Sequence, residues 1–123
     1  MSNKKWTIYI KSIREDSRYT LRGAAREMNI SAPYLHDVEV GNRAPTKKLV
    51  DSLIKLYKLD EEGRRTIYDA AAEVNDTIPY DVEEFLKDYP EAMQTVIEMM
   101  NEKKHQLKKK TNEENPQIQK IKR

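Results

Sequence analysis

Side chains able to act in catalysis or metal binding are few and scattered in this sequence of 123 residues. The chain has no cysteine, which removes thiolate nucleophiles, thiolate ligands and disulfides. Its two histidines, His36 and His105, do not have a metal-ligand spacing. Its three glycines, Gly23, Gly41 and Gly63, lie too far apart to form a phosphate-binding loop. We therefore expect no enzyme activity, no metal and no cofactor.

The distribution of charge suits the binding of a polyanion. Residues 1–58 carry 12 Lys and Arg against 6 Asp and Glu, whereas residues 59–78 carry 2 against 6 and residues 79–100 carry 1 against 6. Residues 101–123 are basic again, with 8 against 3. A basic first half beside an acidic middle indicates one face made for a polyanion. The alternative at this point is an ordinary solvated surface with uneven charge.

The composition predicts an all-α chain. Hydrophobic residues make up 37% and charged residues 36% of the chain, and no segment shows the alternation of a strand. No apolar run approaches the roughly 20 residues of a membrane span, and the first residues lack the apolar stretch of a signal peptide. With no cysteine to favour an oxidising compartment, we expect a cytoplasmic protein.

Helix-start signals divide the first 78 residues into five predicted helices. The first lies within residues 6–18 and ends before the break at residues 17–19. Apolar residues at helical spacing follow four N-cap residues, and these are Thr20, Ser31, Thr46 and Asp60. Asn29 tolerates the left-handed conformation that ends the second helix, Pro33 suits the first turn of the third, and Gly41 closes the third near Val40. Beyond Pro79 the pattern predicts a short helix and then a longer one that starts at Pro90.

The second and third helices are short and only a tight turn separates them. This spacing is typical of a helix-turn-helix, in which the second helix enters the DNA major groove. The residues that carry the pattern are Leu21, Arg22, Ala24, Ala25, Asn29, Ile30, Ser31, Tyr34, Leu35, Val38, Glu39, Gly41, Arg43 and Pro45. Over about residues 6–74 the chain resembles the Cro and phage-repressor type of DNA-binding protein, the XRE family. The resemblance implies a salt bridge between Arg14 and Glu39, which would orient the third helix.

One face of the third helix is expected to read base edges. Because Leu35 and Val38 point inward, the opposite face presents the predicted base contacts Ala32, Pro33, His36, Asp37 and Val40. A carboxylate can accept from cytosine, an imidazole can donate to guanine, and apolar groups can touch a thymine methyl. The predicted backbone contacts are Thr20, Arg22, Ser31, Tyr34, Asn42, Arg43, Lys47 and Lys48. The alternative is that His36 and Asp37 are ordinary exposed residues.

We expect three regions along the chain: a helix-turn-helix domain over 1–78, a helical extension over 79–102 and a basic, disordered tail over 103–123. The extension carries apolar residues at helical spacing that must pack on their own domain or on another subunit. The predicted dimer interface comprises Phe85, Tyr89, Met93, Val96, Ile97 and Met100. A homodimer would match two half-sites on DNA, and a different protein partner stays open.

These features favour a sequence-specific transcriptional regulator, and a repressor that binds an inverted repeat as a dimer is the first hypothesis. The alternative is an antitoxin-like module whose C-terminal helices bind a partner protein, with DNA binding serving autoregulation. The same fold accommodates both functions.

Overall fold

Side-chain caps open four helices in the computed structural model, which describes residues 3–114. Thr20, Ser31, Thr46 and Asp60 each accept a hydrogen bond from the backbone N–H three residues later, at 2.8–3.1 Å. Each cap satisfies one of the N–H groups that a helix start leaves unpaired. The predicted helix starts are therefore confirmed at all four positions.

The described residues form helices joined by short connections, and no strand occurs between residues 3 and 114. In chain order the helices are α1 (Asn3–Asp16), α2 (Leu21–Glu27), α3 (Ala32–Glu39), α4 (Lys47–Leu56), α5 (Glu61–Asn75), α6 (Tyr80–Asp88) and α7 (Pro90–Glu114). The predicted fold class, an all-α helix-turn-helix fold with helices following it, is confirmed. None of these helices combines the length and the apolar character that crossing a membrane requires.

The core lies among α1 to α5, where α1 packs on α3 and α5, α2 packs on α3, and α4 packs on α5. Its fully buried side chains include Trp6, Ile10, Leu35, Val38, Val50, Leu53 and Ile67. Small residues allow the close approaches: Ala24 and Ala25 on α2, and Ala70 and Ala71 on α5, are all buried. Both α2 and α3, the two shortest of these five helices, therefore pack against this core.

The chain divides into two compact units, one up to residue 83 and one from residue 84 onward. The predicted boundary lay at 78/79, but Tyr80 and Asp81 bond to residues of the first unit and bring the start of α6 into it. The predicted tail was to begin at residue 103, yet α7 continues to Glu114 because Lys, Gln and Glu are good helix formers despite their polarity. The rest of that tail, residues 115–123, lies outside the described residues.

Candidate nucleic-acid interface

The turn between α2 and α3 is closed by backbone hydrogen bonds. Asn29 has a φ of 58°, the left-handed conformation that its short polar side chain tolerates. The next N–H, that of Ile30, donates to the carbonyl of Ala25 at 3.0 Å. Ser31 then caps α3, and Pro33 lies in its first turn, where a missing N–H costs no hydrogen bond. The turn therefore fixes the direction in which α3 leaves α2.

Two contacts attach the buried side of α3 to α1. The indole Nε1 of Trp6 donates to the carbonyl of Val38 at 2.8 Å. The Nε of Arg14 donates to Oε2 of Glu39 at 2.8 Å, and an Nη of the same guanidinium donates to the carbonyl of Tyr19 at 3.2 Å. The structure thus contains the pair that the family resemblance implied. Since Glu39 is only 6% exposed, its charge is directed to Arg14 and away from the surface of α3.

Tyr57, at the C-terminal end of α4, is buried next to this ion pair. Its hydroxyl is the only fully buried side-chain polar atom among the described residues without a hydrogen-bond partner. Burial, together with the negative charge of Glu39 and against the opposing effect of Arg14, raises the pKa of Tyr57 to about 12. The ring of Tyr57 packs edge-on against Tyr19 with the centroids 6.0 Å apart. Apolar packing, and not hydrogen bonding, therefore holds this side chain.

The opposite side of α3 faces solvent. Pro33, His36 and Val40 are exposed and Asp37 is half-buried, so four of the five predicted base contacts lie at the surface. Ala32 is also half-buried, but it packs against the core and offers less surface than expected. Nδ1 of His36 lies 3.7 Å from Oδ1 of Asp37, which puts a hydrogen-bond donor next to an acceptor on this face. Such a pair is able to contact two adjacent base edges.

The carbonyl of Asp37 holds the start of the loop after α3. Both Asn42 and Arg43 donate their backbone N–H to the carbonyl of Asp37, at 2.8 and 3.1 Å, and Gly41 supplies the positive φ of 86° that this path requires. The guanidinium of Arg43 also lies over the ring of Tyr34, 5.5 Å from its centroid. The side chains of Asn42 and Arg43 are consequently exposed at the C-terminal end of α3.

Most of the predicted backbone contacts are exposed around α3, at Thr20, Arg22, Ser31, Asn42, Arg43, Lys47 and Lys48, while Tyr34 is half-buried. The cap hydroxyls of Thr20 and Ser31 use their oxygens as acceptors, so each retains its hydrogen as a donor. Lys47 differs from Lys48 because its ammonium forms an ion pair with Asp51 at 3.0 Å. Lys47 would have to exchange this contact for a phosphate.

A family model described as a helix-turn-helix domain matches residues 8–67. The chain contains a helix-turn-helix domain. This match covers α2, the turn and α3, whose geometry is described above, and it indicates double-stranded DNA as a partner. No curated protein and no solved structure matches the chain.

Just beyond the matched residues, a polar cluster supports the helix-turn-helix domain, and the sequence alone did not indicate it. The carbonyl of Pro45, in the loop between α3 and α4, accepts from the hydroxyl of Tyr80 at 2.9 Å and from Nδ2 of Asn75 at 3.0 Å. Arg65 on α5 binds both carboxylate oxygens of Asp81, at 2.7 and 2.9 Å. The first turn of α6 is thereby attached to α5 and to the loop that carries Arg43.

The second unit presents the residues of the predicted dimer interface. All six are exposed, from 36% for Ile97 to 52% for Phe85. The rings of Phe85 and Tyr89 lie against each other with centroids 4.8 Å apart. The four residues on α7 form an apolar surface along the helix, here called the α7 stripe, and they are Met93, Val96, Ile97 and Met100. An apolar stripe of this kind is typical of an interaction surface.

Proposed function

We propose that the protein is a sequence-specific transcriptional regulator of the Cro and phage-repressor type, and that it acts as a repressor. The observation that carries this proposal is the arrangement of α3: one side is anchored to α1 through Trp6 and Arg14, and the other side is exposed. A rigid anchor matters because a recognition helix that is already ordered loses little conformational entropy on binding. A helix that becomes ordered only on binding loses affinity through that entropy cost. The proposed activity is binding, with no catalytic step.

In the proposed complex, the exposed face of α3 enters the major groove. Asp37 would accept from the amino group of cytosine, and His36 would donate to guanine N7 or O6. Pro33 and Val40 would contact thymine methyl groups. A good bidentate contact to a base edge discriminates against a wrong base by about 1–3 kcal/mol, which sets the upper limit for each of these contacts.

Register on the duplex would come from groups around α3. The hydroxyls of Thr20 and Ser31 lie at helix N-termini, where backbone N–H groups and the helix dipole favour a phosphate. Arg43 and Lys48 would add charge that is independent of sequence. Binding should therefore weaken steeply as the salt concentration rises.

A dimer would allow two copies of α3 to read two half-sites about one turn of DNA apart. The six exposed apolar residues of the second unit are the surface that we propose for this dimer. A repressor of this kind would act by occupying a promoter region, and its operator would be an inverted repeat because the dimer is symmetric.

The test is selection of bound duplexes from a random DNA pool by the full chain at one stated salt concentration. We expect an enriched inverted repeat whose half-site centres lie about 10 base pairs apart, or a multiple of that distance. If no motif is enriched and all binding disappears at moderate salt, sequence reading is refuted. In that case the antitoxin-like alternative, in which the second unit binds a partner protein, becomes the better hypothesis.

A further inference from the structure

We infer that two copies of the protein pair through α7 in an antiparallel orientation. The inference rests on the proposed dimer and adds its geometry. It starts from the α7 stripe, whose four side chains are 36–45% exposed and follow one another at spacings that read the same in both directions. An interface related by a two-fold axis must be complementary to itself.

The stripe meets this requirement when its centre lies on the two-fold axis. Met93 of one copy then lies opposite Met100 of the other, and Val96 lies opposite Ile97. Each contact joins similar shapes, since Met pairs with Met and one β-branched side chain pairs with another. The apolar surface of each copy covers that of the other over about two helical turns.

Charge decides between the antiparallel and the parallel orientation. Residues 84–102 contain five acidic residues and one basic residue, whereas residues 103–110 contain five lysines and no acidic residue. The helix continues from the stripe into the lysine segment without a break. A parallel pair would therefore place the five lysines of one copy beside the five lysines of the other. Repulsion between these like charges would destabilise the parallel dimer.

The antiparallel pair separates the two lysine segments, because one then lies at each end of the interface. Its register sets Lys103 and Lys104 of one copy against residues 89 and 90 of the other. Asp88 and Glu91 lie within one turn of those positions. In the same register Glu102 lies opposite Glu91, and residues 104–110 extend past Pro90, where α7 of the second copy begins. The separation of the two lysine segments therefore favours the antiparallel orientation.

Disulfide cross-linking tests this orientation directly, because the natural chain has no cysteine. Two variants of the full chain, Met93→Cys and Met100→Cys, are oxidised separately and as a mixture, with one carrying a mass tag. In the antiparallel pair, identical positions are offset by seven residues, roughly 10 Å along the helix, which exceeds the reach of a disulfide. Only the mixture should give a cross-linked dimer, joined between positions 93 and 100.

Met99→Cys is the matched control, since Met99 is 59% exposed and lies off the α7 stripe. Mixed with Met93→Cys, it should give no cross-link. Homodimers linked at 93–93 and at 100–100 would overturn the inference in favour of a parallel pair. A chain that sediments as a monomer at every concentration tested would also overturn it.

Salt provides a second readout on the unmodified chain. The antiparallel pair keeps the two lysine segments apart and joins apolar side chains, so its dissociation constant should change little as ionic strength rises. A parallel dimer should instead become tighter, because its lysine repulsion is screened, and that result would contradict the inference. Both the cross-linking experiment and the salt experiment are carried out without DNA. A failed dimer test with a successful DNA selection therefore refutes the orientation and leaves DNA reading intact.

Discussion

The ion pair between Arg14 and Glu39 should be strongly coupled in its effect on stability. We consider replacing each residue by methionine, singly and together. In the single variant Arg14→Met, the carboxylate of Glu39 stays 6% exposed and loses its only ion-pair partner among the described residues. Removing one member of a buried pair costs about 3–5 kcal/mol, and we expect about 3 kcal/mol because the Arg14 side chain, 16% exposed, shows that water comes close.

The reverse single variant should cost less. In Glu39→Met the guanidinium still donates to the carbonyl of Tyr19 and retains some contact with water, so we expect a loss of about 2 kcal/mol. In the double variant no charge is left buried, and apolar side chains of similar volume fill the site. Its loss should be about 2 kcal/mol, which gives a coupling free energy of about 3 kcal/mol.

The assay is urea unfolding, followed by far-UV circular dichroism and by the fluorescence of Trp6, the only tryptophan, which lies in the same core. The exposed pair Lys47 and Asp51 serves as the matched control cycle, with an expected coupling of about 0.5 kcal/mol or less. If the losses of the two single variants simply add in the double variant, the pair does not act as a unit. The anchoring role of Arg14 would then be refuted.

Three further changes have outcomes that follow from named contacts. Below pH 10, Tyr57→Phe should leave the free energy of unfolding unchanged or raise it, because the lost hydroxyl has no hydrogen-bond partner. Above pH 10 the unfolded chain loses its phenolic proton before the folded chain does. Between pH 10 and pH 12 the wild type should therefore lose up to about 1.4 kcal/mol per pH unit relative to the variant. If the unfolding free energies of the wild type and of Tyr57→Phe change with pH in the same way, burial of the Tyr57 hydroxyl is contradicted. Tyr80→Phe should lower the free energy of thermal unfolding by only about 1 kcal/mol, since the carbonyl of Pro45 keeps its hydrogen bond from Asn75. The control Tyr89→Phe, which removes the hydroxyl of an exposed tyrosine, should change stability little. Equal losses in the two variants would show that the polar cluster does not stabilise the domain. Arg43→Ala should weaken binding to every DNA duplex alike, as measured by fluorescence anisotropy. It should also reduce by about 1 the slope of the logarithm of the binding constant against the logarithm of the salt concentration. A loss of affinity limited to one sequence would reassign Arg43 as a base contact.

Local signals made much of the fold predictable. The caps at Thr20 and Ser31 depend only on a side-chain oxygen and the N–H three residues on, so sequence is sufficient to locate them. The left-handed turn at Asn29 is equally local. Burial of Leu35 and Val38 follows from helical spacing, which also predicts the exposed side of α3.

Contacts between distant residues were harder to predict. The hydrogen bond from Tyr80 to the carbonyl of Pro45 joins residues 35 positions apart, and no periodicity in the sequence connects them. Ala32 shares the spacing of the exposed face, but it lies at the start of α3, where the core reaches the helix end, so it is half-buried. The polar composition after residue 103 suggested disorder, whereas the helix propensity of those same residues agrees with the observed α7.

The most direct test of the central claim, that the exposed face of α3 reads DNA sequence, is to repeat the selection from a random pool with two double variants. His36→Ala/Asp37→Ala removes the polar side chains of that face and leaves the carbonyl of Asp37, which holds the following loop, in place. Asn42→Ala/Arg43→Ala removes side chains of the loop alone. We predict that the first variant loses or changes the motif, and that the second keeps the wild-type motif at lower affinity. An unchanged motif from His36→Ala/Asp37→Ala would contradict the central claim.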